Sequence, residues 1–110
     1  METLNFFFDN KHRPLRHAAH PRLVGVVSSG NLEVLIEPAP LNGGCEIEIR
    51  TAALGFGAIW QAVLEDFNER WQLADMRIAV NDMGATPAVV SLRLDQAVEA
   101  AINPASGARS

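Results

Sequence analysis

Few side chains in this 110-residue chain are of kinds that do chemistry, and their spacing limits what they can do. Ser28 and Ser29 stand together at the crest of two apolar runs, Leu23-Val24-Gly25-Val26-Val27 before them and Leu32-Glu33-Val34-Leu35-Ile36-Glu37 after. A serine hydroxyl is a weak nucleophile unless a base takes its proton, and no histidine has a placed partner near Ser29. The Gly-x-Ser-x-Gly motif is absent, because Ser28 rather than glycine lies on one side and Gly30-Asn31 on the other. His12, His17 and His20 cluster, but their spacing is not that of two ligands on a helix face. No carboxylate lies within Asn10 to Arg22 to complete a metal set. Cys45 is the single cysteine, which excludes an internal disulfide and a multi-cysteine metal centre. Glu46 beside it opposes thiolate formation. The only lysine is Lys11, and no Gly-x-x-x-x-Gly-Lys phosphate loop contains it. Active-site arrangements therefore fail, and what remains is an exposed serine at a hairpin tip, a good place to hang a group and otherwise a surface turn with no role.

The elements that must hold this tip are legible from periodicity. Gly30-Asn31 between two apolar runs is a short-hairpin signal, since a tight turn needs positive φ. In the descending strand Leu32, Val34 and Ile36 share one face, with Glu33, Leu35 and Glu37 on the other. Leu4 to Phe8 suits a first strand. Asn42-Gly43-Gly44 is a second turn, after which Cys45, Ile47, Ile49 and Thr51 alternate with Glu46, Glu48 and Arg50. That pattern places Cys45 in the core as a small hydrophobe. Phe56, Ile59, Trp60, Val63, Leu64, Phe67 and Trp71 recur at helical spacing and form one apolar face, with Asp66 and Arg70 able to pair on the other side. Met76 to Val80 alternates with Arg77 outward. Val90, Leu92 and Leu94 alternate with Val89, Ser91 and Arg93, which predicts a strand, and Asp95 then caps a short helix through Asn103. A single longer helix begun by Thr86 and Pro87 is the alternative, since proline suits a first helical turn.

These elements predict one α+β domain over residues 1–110: a mostly antiparallel sheet with one long and one short helix packed on one face. Glu33, Glu46, Glu48, Arg77 and Arg93 line the sheet's polar face in this reading. Residues 11–22 are a basic loop broken by Pro14 and Pro21, and residues 104–110 a frayed tail. At 48% hydrophobic and 20% charged the composition is that of a globular domain. A net charge of −4 argues against a nucleic-acid partner. No apolar stretch is long enough to span a bilayer, and the N-terminus has no secretory signal pattern. With one cysteine, these features point to the cytoplasm.

Val26-Val27-Ser28-Ser29-Gly30-Asn31-Leu32-Glu33-Val34-Leu35 resembles the segment of the malonate decarboxylase acyl carrier (delta) subunits that bears their prosthetic group. Asn81-Asp82-Met83-Gly84-Ala85-Thr86-Pro87, running into Leu92-Arg93-Leu94-Asp95-Gln96-Ala97-Val98-Glu99, resembles the C-terminal half of the same family. Trp60 in a helix after the third strand also fits. The likeness runs from about Leu23 to Ala101, and it departs from the family at Ser28, usually glycine, and at Asn31, usually aspartate. It implies a non-catalytic carrier whose serine holds 2'-(5''-phosphoribosyl)-3'-dephospho-CoA through a phosphodiester. The arm's terminal thiol carries acetyl and malonyl as thioesters. Its implied partners are the alpha subunit as acyl transferase, the beta and gamma subunits as decarboxylase, a malonyl transferase, and the phosphoribosyl-dephospho-CoA transferase that loads the serine. The resemblance places attachment at Ser29, directly before the glycine of the turn, with Ser28 as the alternative hydroxyl.

Other readings are the citrate lyase acyl carrier (gamma) subunit, which bears a similar arm, an unmodified structural or oligomerising module, and a free-standing serine hydrolase. The Gly84-Ala85-Thr86-Pro87 run favours the malonate decarboxylase family among them. A chain lacking a paired base, a metal set and a cofactor loop is expected to turn over neither malonate nor malonyl-CoA by itself. Assay of the rigorously purified chain for carbon dioxide release checks this, and any turnover above background overturns it.

Overall fold

Alternating apolar residues bury one face of a strand, and in this chain several strands bury the same face. The computed structural model describes residues 1–10, 25–29 and 31–102, with 25–29, 101 and 102 described by their backbone. In chain order they form β1 (Glu2–Asp9), β2 (Gly25–Ser29), β3 (Leu32–Pro38), β4 (Gly44–Thr51), α1 (Gly57–Trp71), β5 (Met76–Asp82) and α2 (Pro87–Ile102). The strands make one sheet in the order β1-β4-β5-β3-β2. Every neighbouring pair is antiparallel except β4 and β5. Those two run parallel because α1 carries the chain back between them. The fold is thus α+β with a mostly antiparallel sheet.

Register aligns the apolar rows across the sheet. Phe6, Ile47, Ile78 and Ile36 fall opposite one another, as do Leu4, Ile49, Val80 and Val34. Trp60, Leu64 and Phe67 of α1 and Val90, Leu94, Ala97 and Val98 of α2 cover these rows. Phe67 is 1% exposed and Trp60 6%, as the helical spacing predicts. Cys45 is buried in the same cluster. On the open face Arg77 pairs with Glu46 at 2.9 Å, and Asn81 donates to Glu33 at 3.2 Å. Exposed contacts of this kind add little stability.

The segment read as a strand followed by a short helix is one helix. α2 has 16 residues and α1 has 15, so the two helices are of nearly equal length. Val90 and Leu94 lie two strand steps apart but also one helical turn apart, so the two periods agree over that interval. Leu92 separates them, since a strand would bury it with its neighbours and here it is 50% exposed. The start signal carries the decision. The Thr86 hydroxyl oxygen accepts the Val89 N–H at 3.3 Å, and Pro87 opens the helix where a missing N–H costs nothing. Asp95 is therefore not a cap. It accepts from both Arg70 Nη1, at 2.6 Å, and Trp71 Nε1, at 2.9 Å, and joins α2 to the end of α1. Burial works against the Arg70 charge, but the hydrogen bonds and charge of Asp95, then of Asp66, outweigh it and raise the guanidinium above its ordinary value. Arg93 lies on α2, where it bonds Gln96, and not on the sheet's polar face. His12, His17, His20, the basic loop at 11–22 and the tail at 104–110 lie outside the described residues.

One buried carboxylate organises the end of the sheet nearest the β2–β3 turn. Asp82 is 3% exposed. Its Oδ2 accepts the Thr51 hydroxyl at 2.8 Å, and its Oδ1 accepts the Gly84 and Ala85 N–H groups at 3.2 and 2.8 Å. The carboxylate thereby shapes the turn between β5 and α2, in which Gly84 takes φ 111, a conformation that a side chain strains.

Phe67→Ala leaves a large void between α1 and the core, and a loss of about 3–5 kcal/mol is expected in denaturant unfolding. Asp82→Ala strands the buried Thr51 hydroxyl and two N–H groups, so it is expected to cost about 2–4 kcal/mol. Asp82→Asn keeps the Oδ1 acceptor and is expected to lose less than the alanine variant in the same titration.

Candidate functional site

Ser28 and Ser29 close β2, which is an edge strand of the sheet. Backbone register sets Ser29 opposite Leu32 and Ser28 opposite Glu33. Leu32 is buried and Glu33 exposed, so the two serines occupy rows of opposite character. The hairpin read from the sequence is present, while Gly30 at its turn lies outside the described residues. Asn31 is in the turn, and its carbonyl accepts the Met83 N–H at 2.9 Å. The turn is thus bonded to the loop that Asp82 shapes. α2 lies against both β2 and β3 and holds the stem from the helix side.

A recess of about 290 Å³ opens at this same end of the sheet. Phe56, Ile59, Trp60 and Val63 line it from the side of α1, and Asp82, Gly84, Ala85, Pro87 and Val90 from the end of β5 and the start of α2. It lies beyond the carboxyl ends of the parallel pair β4–β5, the end at which parallel strands generally present their ligand sites. Helical spacing assigns Phe56 and Ile59 to the core face of α1, yet each lines the recess and is 45% exposed. The pocket could not be read from the sequence, because its two walls are about 25 residues apart in the chain and meet only through the β4–α1–β5 crossover. The sequence signal that touches it is the Asn81–Pro87 motif, whose Asp82, Gly84, Ala85 and Pro87 all border it or build it.

The remaining reactive groups are disposed elsewhere. Burial pushes the Cys45 thiol from 9.0 up to about 12, which keeps it protonated and poorly nucleophilic at neutral pH. Among the described residues no group of three or more His, Cys, Asp or Glu side chains gathers as a metal site. No helix among them is long and apolar enough to cross a membrane.

The chain is similar to known proteins along most of its length. Residues 19–101 match the family model of the malonate decarboxylase delta subunit (MdcD), an acyl carrier protein. A malonate decarboxylase acyl carrier protein of Xanthomonas euvesicatoria pv. vesicatoria is 65% identical over 99 residues, spanning 90% of this chain and 93% of the relative. One from Burkholderia cepacia is 60% identical over 97 residues, spanning 88% and 87%. A chain in the crystal structure of a Pseudomonas malonate decarboxylase hetero-tetramer in complex with malonate superposes with a TM-score of 0.70 at 35% identity, over 90% of this chain and 97% of that one. With a family match across both signature motifs and relatives that span nearly its whole length, the chain belongs to the malonate decarboxylase delta subunit family of acyl carrier proteins.

Proposed function

We propose that the chain is the acyl carrier subunit of a malonate decarboxylase and that Ser29 is its point of attachment for phosphoribosyl-dephospho-CoA. The observation that carries this reading is the position of Ser29 as the last residue of an edge strand, in a hairpin whose turn is bonded to the Asp82 loop. A modifying enzyme needs a hydroxyl at a place where a large nucleotide can approach. A sheet edge beside a glycine provides one. When attached, the arm supplies a terminal thiol able to carry acyl groups as thioesters. The chain's own residues supply a stiff stem, through the β2–β3 ladder and α2 behind it.

The carrier works inside a multi-subunit enzyme, in keeping with the hetero-tetramer that contains its structural relative. Its partners in this reading are the alpha acyl transferase, the beta and gamma decarboxylase subunits, the malonyl transferase and the transferase that loads the serine, all in the cytoplasm. Net charge of −4 favours docking on basic surfaces of those subunits. Residues 1–110 act as one carrier domain.

Ser29→Ala is expected to stay folded, since it removes a single hydroxyl from the last residue of an edge strand and alters no backbone bond. It should refuse the arm and leave the assembled enzyme inactive, whereas Ser28→Ala should accept the arm. Intact mass and peptide mapping after incubation with the transferase and its nucleotide donor read the outcome. A modified Ser29→Ala chain moves the site to Ser28, and an unmodified wild type beside its own transferase overturns the carrier reading.

A further inference from the structure

The recess beside the hairpin has apolar walls and no free charge to offer. Asp82 is the acid in its lining, and both its oxygens are already engaged by Thr51, Gly84 and Ala85. The rim is apolar too, since Phe56 and Ile59 are large side chains of the α1 stripe that the chain's own core leaves half open. Such a site suits methyl and methylene groups and not a phosphate.

Its place in the sheet ties it to the attachment point. Asp82 is the register partner of Leu32, and Leu32 is the partner of Ser29. Two strand spacings separate β2 from β5, about 10 Å. An arm built on dephospho-CoA crosses that gap with slack. The turn and the pocket loop are also joined directly, by the Met83 N–H to the Asn31 carbonyl.

Resting on the carrier reading above, we propose that this recess receives the acyl-bearing pantetheine end of the serine-linked arm between visits to the partner subunits. The gem-dimethyl group, the methylenes and the acetyl methyl of that end match the lining of Ile59, Val63, Ala85 and Val90. The tether makes docking intramolecular, with an effective concentration on the order of millimolar, so weak contacts suffice and release stays easy. The seated thioester is shielded from water by the walls of the recess.

The test uses the full chain, loaded by its transferase and verified by intact mass. Methyl NMR compares the apo, free-thiol and acetylated forms. The methyl signals of Ile59, Val63 and Val90 are expected to shift on loading and again on acetylation, while those of Ile36 and Ile78 in the distant core rows stay in place. The arm thiol is then titrated with a small aromatic disulfide reagent, to which Cys45 contributes nothing because it is buried and its pKa is raised to about 12. It should react about threefold or more slowly in wild type than in Ala85→Phe, which fills the recess. Ile59→Gln, at a half-exposed helix position that folding tolerates, should also speed the reaction. Unshifted methyls on a loaded chain, or equal thiol rates in wild type and both variants, overturn the inference and leave the carrier reading intact. Methyl shifts that arise only when the partner subunits are added make the recess a seat for a partner side chain, which also overturns it. A chain that never takes the arm overturns the carrier reading and this inference together.

Discussion

The Asp82 carboxylate is the constraint on which the business end of this protein depends. It holds β4 through Thr51, and it shapes the β5–α2 turn through Gly84 and Ala85. The next residue, Met83, bonds the hairpin turn. A buried carboxylate is costly unless its oxygens are satisfied. Here three donors from two segments do so, which makes the local geometry hard to alter one piece at a time. The start of α2, the mouth of the recess and the seat of the hairpin all follow from it.

The rest of the fold is a rigid support for that end. A five-stranded sheet with aligned apolar rows and two helices of nearly equal length puts its core on one face and charged residues on the other. The helices are clamped at the far end by Asp95, which takes hydrogen bonds from Arg70 and Trp71. A buried pair, Asn10 with Asn68, ties the end of β1 to α1 at 2.8 Å. None of these polar contacts resembles a catalytic arrangement, and each has a packing role. That division suits a carrier, whose contribution is placement and mobility of a group that reacts elsewhere.

Much of this was legible beforehand, and what was not has a common cause. The hairpin, the Cys45–Thr51 alternation, and the burial of Trp60 and Phe67 follow from local periodicity, which tertiary contacts here reinforce. Val89 to Leu94 is helical although its residues alternate, because a short apolar alternation fits either period. The Thr86 cap and Pro87 then outweighed it, and the helix face gained a sheet to cover. Phe56 and Ile59 matched the helical stripe but end at the mouth of a recess, because a stripe tells which side is apolar and not how far the sheet beneath extends.

The sequence by itself determined the α+β class, the serine pair at a glycine turn, and the motif at 81–87, because each rests on residues close together in the chain. The tertiary structure decided the strand order β1-β4-β5-β3-β2 and the burial of Asp82. It also brought Asn31, Asp82 and the apolar walls to one end of the sheet. The physical reason is that strand pairing and pocket walls join residues tens of positions apart, and no local pattern encodes which of several compatible partners a strand will meet.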